Sequence, residues 1–165
     1  MDDLETARLV LHPLTAAEAQ RLLTREPGAG DRWGPGYPTD GDLAGARRFL
    51  GIRGATGDPG VFCCYEIRHR AGGEAIGGLD FHGPADDEGA VTIGYGLIPA
   101  ARGHGYAAEA LRALLVLARA HGATRVLGDA DASNVASQRV MAAAGMRQVA
   151  ATDQLTFFAI SWPEP

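Results

Sequence analysis

Lysine is missing from this chain: every one of its 15 cationic residues is arginine. Set against 20 acidic residues this leaves a formal net charge of −5, and an acidic chain lacks the basic face needed to displace counterions from nucleic acid. A cationic small-molecule or peptidic partner suits that charge better. With 23 glycines and abundant alanine, the all-arginine usage fits a high-GC coding bias, so arginine is not read as functional merely for being arginine. Cysteine is scarce too. Cys63 and Cys64 are the only two, and neighbours on a strand point to opposite faces, where they do not easily bridge. A reducing compartment is expected. Long apolar runs are absent. No stretch reaches the roughly 18 uninterrupted apolar residues of a membrane span, and the opening MDDLETARL is acidic where a signal peptide would be basic. The expectation is a soluble, cytoplasmic protein with no membrane or nucleic-acid partner.

What is present is enough for a core. At 165 residues, with 46% apolar and 21% charged residues, the chain fits one domain spanning 1–165, in which about 70% of the unfolded surface can be buried. Nothing in the composition marks a linker, and no internal repeat occurs.

Along the chain, Arg8–Leu14 alternates as a strand, and Thr15 then caps a helix over AAEAQRLL. Residues 26–42 carry several Gly and Pro with the aromatic pair Trp33 and Tyr37, and read as a long loop. Loops of this length tend to be functional, and the plain alternative is that the aromatic pair packs onto the sheet. A short helix over 43–50 follows, with Asp40 or Asp42 near its cap. Residues 61–67, 75–81 and 90–98 are apolar, β-branched or aromatic runs separated by RHRAGGE and HGPADDEG, which predicts an antiparallel meander. From Tyr106 the period is helical until Gly122. A strand at 124–127, a helix at 134–144 ended by Gly145, and strands at 146–149 and 155–162 close the order βα(α)βββαβαββ.

The segment Arg102-Gly103-His104-Gly105-Tyr106-Ala107 joins a strand to the start of a long helix. Unpaired first-turn amides carry the positive end of the helix dipole, and glycines let a diphosphate reach them, so anion binding is the chemical reading. The plain alternative is that the glycines only make the turn. A dinucleotide fingerprint, Gly103-x-Gly105-x-x-Ala108 with Asp129 downstream, is poorly placed, because a meander precedes it and too few βαβ units follow. Further on, Asn134 and Ser137 open a helix, where Asn134 could be no more than an N-cap.

These segments together resemble the GNAT superfamily of acyl-CoA-dependent N-acetyltransferases, in its branch of ribosomal-protein N-terminal acetyltransferases of the RimJ/RimL kind. Leu4–Leu9 resembles that branch's opening strand and Ile93-Gly94-Tyr95-Gly96-Leu97-Ile98-Pro99 its central strand. Arg102–Leu111 resembles its pyrophosphate loop and helix, and Asn134–Met146 its N-x-x-S…G-F segment with Met in the final place. The resemblance implies an α/β acyl-CoA N-acyltransferase fold: a mixed, mostly antiparallel sheet, splayed between the strands at 90–98 and 124–130 and flanked by helices. It implies acetyl-CoA as co-substrate and no metal. Leu97, Ile98 and Tyr95 would face the pantetheine arm with main-chain groups, one acting as an oxyanion donor. Arg102, Gly103, His104, Gly105, Tyr106 and Ala107 would hold the pyrophosphate, with Asn134 and Ser137 at the sulfur end.

The chain departs from the family pattern at the proton-handling positions. Thr92 stands where relatives often carry glutamate, and no tyrosine follows Tyr106. Ser137 is then the candidate donor to the leaving thiolate, and Asp153, Asp80 and His82 are candidate bases. Asp153 could equally be a turn residue, and Asp80 and His82 solvent-facing strand positions. Asp86-Asp87-Glu88 is read as an acidic hairpin turn, not a metal site. The implied function is N-acetylation of a primary amine, with a peptide or protein N-terminus among the acceptors the resemblance implies, by a monomer or homodimer. A small-molecule acceptor such as an aminoglycoside or polyamine stays open, as does an acyl-CoA-binding module without chemistry.

Overall fold

The computed structural model describes residues 1–163. Its elements are β1 (Leu4–Glu5), β2 (Leu9–Pro13), α1 (Ala16–Thr24), α2 (Asp40–Thr56), β3 (Cys64–His69), β4 (Ala75–Phe81), β5 (Ala90–Leu97), α3 (Tyr106–Ala120), β6 (Arg125–Asp131), α4 (Val135–Ala143), β7 (Arg147–Ala151) and β8 (Leu155–Ser161). The strands form one eight-stranded sheet in the order β1-β2-β3-β4-β5-β6-β8-β7. Every pairing is antiparallel except β5 with β6. A parallel neighbour needs a long crossover, and α3 supplies it.

The predicted meander is present, and it extends back to β1. The opening segment is not one strand, however. Leu4–Glu5 and Leu9–Pro13 pair with each other around a turn at Thr6, whose hydroxyl accepts from the Leu9 amide at 3.0 Å. The strand predicted at 61–67 starts later than expected, at Cys64, because Val61–Cys63 form the turn that feeds it. Cys63 and Cys64 are both buried and free. The strand expected at 124–127 runs on to Asp131 because β8 pairs with it along its whole length.

The largest departure is α2. It spans 17 residues where periodicity predicts only 43–50. Gly41, Gly45, Gly51 and Gly54 dilute the apolar stripe and hide its length. A capping box starts it: Thr39 accepts from the Asp42 amide, and Asp42 accepts from the Thr39 amide. Its inward face lays Leu43, Ala46 and Phe49 into the core, where α3 contributes Leu111 and Leu114 from the opposite side of the sheet. Replacing Leu114, which is fully buried, by alanine is expected to cost about 2–5 kcal/mol, read as a lower denaturation midpoint with an unchanged slope.

Candidate active site

Strand β5 changes neighbours along its length. Residues Ala90–Thr92 pair in parallel with Arg125–Leu127 of β6, whereas Ile93–Leu97 pair only with β4. Beyond Thr92 the β6-facing edge of β5 is therefore open. Backbone groups exposed by such a splay require other partners.

On one side of the sheet the opening is walled by α3 and α4. A cavity of about 780 Å³ lies here, lined by residues that include Tyr95, Gly96, Leu97, Arg102, Gly103 and Gly105. Tyr106, Ala107, Asn134 and Ser137, also singled out in the sequence, complete the wall. At its end the first turn of α3 has no side-chain cap, and its N-cap Gly105 is left-handed at φ 80°. Gly103 is left-handed too, at φ 82°, and a Cβ there would meet nothing within 4 Å. Open space over uncapped helix amides is what a diphosphate needs. Arg8 braces this loop from the bend before β2, donating to the His104 carbonyl at 2.8 Å and to Glu109 at 2.8 Å, with its guanidinium over the Tyr106 ring. Burial opposes ionisation of Glu109, but hydrogen bonds from Thr6 and Arg8 hold its carboxyl below the ordinary glutamate value. Sequence reasoning missed Arg8, because nothing local announces a contact 101 residues away.

Not every expected residue lines this cavity. Ile98 is 1% exposed and sits in the core, its amide donating to Ile76. His104 does not line the cavity, and its ring lies 5.6 Å from the Tyr106 ring. Asn134 is the N-cap of α4, accepting from the Ser137 amide at 3.1 Å, and it lines the cavity as well. Asp153 lies in the exposed β7–β8 turn and lines neither cavity described here.

Ser137 and Tyr95 meet across the splay. The Tyr95 hydroxyl lies 2.8 Å from Ser137 Oγ and donates to the Ser137 carbonyl at 2.9 Å, tying β5 to the first turn of α4. Burial raises the Tyr95 phenol above its ordinary value despite that contact, so it stays protonated.

The other face of the sheet holds a second cavity, of about 210 Å³, between α2 and strands β4 and β5. The two cavities share Gly41, Tyr95 and Gly96. Strand alternation explains the join: Tyr95 opposes Leu79 and faces α4, whereas Gly94 opposes Asp80 and Gly96 opposes Gly78 on the face toward α2. Asp80 is thus not a simple solvent-facing position, whereas His82 is exposed. Asp80 is 8% exposed and ion-paired with Arg48 of α2, while His82 stands at the rim with Nε2 3.8 Å from Asp80. The unexpected length of α2 is the reason, since it covers that face of β4. Trp33 and Tyr37 pack against the core. Tyr37 is buried, meets Trp33 edge to face, and donates to Glu66 at 2.7 Å.

Two sets of comparisons bear on this geometry. The acetyltransferase (GNAT) domain family matches residues 8–147. This chain belongs to the GNAT acetyltransferase family. Its enzymes use acetyl-CoA, and the large cavity has the loop and lining to receive it. No curated protein sequence matches the chain. Solved structures share the fold, among them the ribosomal-protein-S5-alanine acetyltransferase from Vibrio fischeri, 12% identical over 98% of this chain and 97% of that one, TM-score 0.67. Another is RimL, the ribosomal L7/L12 alpha-N-protein acetyltransferase in complex with coenzyme A, 16% identical over 97% and 98%, TM-score 0.70. A third is Mycobacterium smegmatis RimJ in complex with CoA-disulfide, 19% identical over 93% and 81%, TM-score 0.64. No helix among the described residues is long and apolar enough to cross a membrane, and no group of metal-ligating side chains occurs among them.

Two tests follow from the site. Gly105→Val is expected to abolish coenzyme A binding by calorimetry; because φ is 80° there, it should also cost about 1–2 kcal/mol of stability. Asp42 is 7% exposed, and burial pushes its carboxyl from 3.8 to about 6. A raised acid favours the fold while neutral, so its contribution is full below the unfolded value and is lost as pH rises through about 6. Asp42→Asn should therefore gain stability on the wild type between pH 4 and 8, by up to roughly 3 kcal/mol, read from denaturation curves across that range.

Proposed function

We propose that this single-domain chain transfers the acetyl group of acetyl-CoA to a primary amine, with a peptide or protein N-terminus as the favoured acceptor class. The observation that carries this reading is the Tyr95–Ser137 hydroxyl pair at the place where the two cavities meet. Amine attack on a thioester must supply a proton to the leaving sulfur, and a phenol kept protonated by burial is a suitable donor. The family's late tyrosine is missing from the chain after Tyr106, and Tyr95 provides a hydroxyl from β5 instead. Ser137 donates its own hydroxyl hydrogen to the Tyr95 oxygen and so orients the phenol.

In this reading the pyrophosphate rests on the amides of Tyr106, Ala107 and Ala108, with Arg102 alongside. The pantetheine arm runs along the open edge of β5 by Leu97 and Gly96, and Asn134 and Ser137 stand at the sulfur end. The N-terminus acceptor is supported by the sequence motifs of the ribosomal-protein branch and by the recurrence of such enzymes among structures of the same fold. The free, buried cysteines support a cytoplasmic setting.

Acetyl-CoA should stabilise the protein by roughly 2.7 kcal/mol at 100-fold excess over Kd, whereas NAD should give no thermal shift. Tyr95→Phe should lower kcat about 100-fold with acetyl-CoA affinity nearly unchanged, and Ser137→Ala should lower it less. The measurement is acetyl-CoA consumption with a panel of peptides and simple amines. Binding without consumption by any acceptor would leave an acyl-CoA-binding module instead.

A further inference from the structure

The loop that precedes α3 is held in place by very little of its own making. After Leu97 the chain leaves the sheet, makes one tight turn over Pro99–Ala101 and passes through Gly103 and Gly105, both left-handed, before the helix begins. Residues 102–105 are all exposed. Among the described residues a single hydrogen bond reaches residues 103 and 104, from Arg8 Nη1 to the His104 carbonyl at 2.8 Å. Glycine has the widest conformational choice of any residue, so a segment with two of them needs an outside support to keep one shape.

Arg8 is that support. Its guanidinium divides its donors, Nε to Glu109 at 2.8 Å and Nη1 to the His104 carbonyl, while its carbon lies 4.5 Å from the centre of the Tyr106 ring. Nη2 lies against the helix start, where a Cβ at Gly105 would fall 3.4 Å from it. The bend that carries Arg8 is anchored in turn. The Arg8 carbonyl accepts from the Arg70 amide at 2.9 Å, Arg70 also donates to the Thr6 carbonyl at 3.2 Å, and the Thr6 hydroxyl and Arg8 amide both donate to Glu109. His69, at the end of β3, meets the Tyr106 ring edge to face at 5.1 Å. Burial works against the charge of Glu109, but its hydrogen bonds outweigh that and the carboxylate is ionised. Loop, helix start and sheet end thus meet at one arginine.

We propose that Arg8 is a positioning residue for the cofactor: it holds the glycine loop in its diphosphate-binding shape before coenzyme A arrives, and so sets the affinity without touching the ligand. The inference rests on the placement of the diphosphate given above. Arg8 does not line the acyl cavity, and its charge is paired with Glu109. Its effect is on the freedom of the loop. A loop that must be ordered on binding subtracts the lost backbone entropy from the affinity, whereas a loop already fixed does not. Arginine suits the role better than lysine, because its planar fork donates in two directions while lying over a ring.

Two other roles for the pair make different demands. An electrostatic role, in which Arg8 attracts the anionic cofactor, needs only a positive charge and is met equally by lysine. A purely structural role appears as lost stability. The Arg8 side chain is 45% exposed, however, and an ion pair so open to water contributes little to the fold. What the clasp fixes is the shape of residues 102–106, on which the diphosphate reading depends.

Arg8→Gln removes the clasp, and Arg8→Lys keeps the charge without the fork. In the free full-length protein both should speed amide hydrogen exchange at residues 103–106 and leave the melting temperature within a few degrees of wild type. By calorimetry both should weaken coenzyme A binding about tenfold, the scale of ordering one residue. In turnover the KM for acetyl-CoA should rise by the same factor with kcat unchanged. S-acetylpantetheine, which carries the thioester and lacks the diphosphate, should react in both variants as it does in the wild type. The double variant Arg8→Gln, Glu109→Gln, which removes both charges, should bind coenzyme A no better than Arg8→Gln. Wild-type affinity in Arg8→Lys or in the double variant overturns the proposal in favour of a charge effect. Unchanged loop exchange overturns it too, as does an equal loss with S-acetylpantetheine. Coenzyme A binding that weakens as expected, with no acetyl-CoA consumed by the wild type, upholds the clasp and overturns the transferase reading. A wild type that binds no coenzyme A overturns both.

Discussion

The parting of β5 from β6 after Thr92 is the constraint on which the site depends. Three residues of parallel pairing fix the two strands together at one end, and the twist and divergence of the halves of the sheet do the rest. The exposed edge is stabilised only in part by the protein itself. Tyr95 reaches across to Ser137, and Arg102 donates to the Leu97 carbonyl at 3.3 Å. Other main-chain groups along the edge remain for a ligand with amides of its own. The same divergence lets one strand serve two faces: Tyr95 points to the side where α3 offers uncapped amides, and its glycine neighbours open to the side where α2 offers carboxylates.

That second side shows a fold arranged against its own stability. Alanines at the glycine positions under α2 and apolar residues in place of Asp42 and Asp80 would make a more ordinary helix-on-sheet contact. Instead, two desolvated carboxylates are retained, one inside a capping box and the other on an arginine. An ion pair at such a site adds little net stability, because desolvation offsets the attraction.

The antiparallel meander, the glycine loop before α3 and the Asn134–Ser137 start of α4 were legible because their signals are local. A strand alternates within a few residues, and Gly103 and Gly105 stand directly before a helical run. The failures share a different cause. Asp80 looked solvent-facing because polar residues on a strand usually are, and only α2 folding back over β4 buries it. That helix was itself undercounted, since its glycines, needed for the close approach, remove the apolar period by which a helix is found. Arg8 and the Tyr95–Ser137 bond are contacts between residues far apart in sequence, which no spacing rule reaches. At Ile98 the side chain belongs to the core, because β5 ends one residue before it, and the amide donates to Ile76.

The missing lysine also has a chemical consequence, whatever its compositional origin. A side-chain amine held near the thioester would react with an effective concentration far above that of any free acceptor. Arginine carries the charge without that hazard, because its guanidinium stays protonated and delocalised. Arg102 and Arg139 line the acyl cavity and Arg48 the smaller one. Each gives the electrostatic help of a cation where a lysine would also be a nucleophile. The side chains of this protein thus offer no primary amine to compete with the acceptor for the acetyl group.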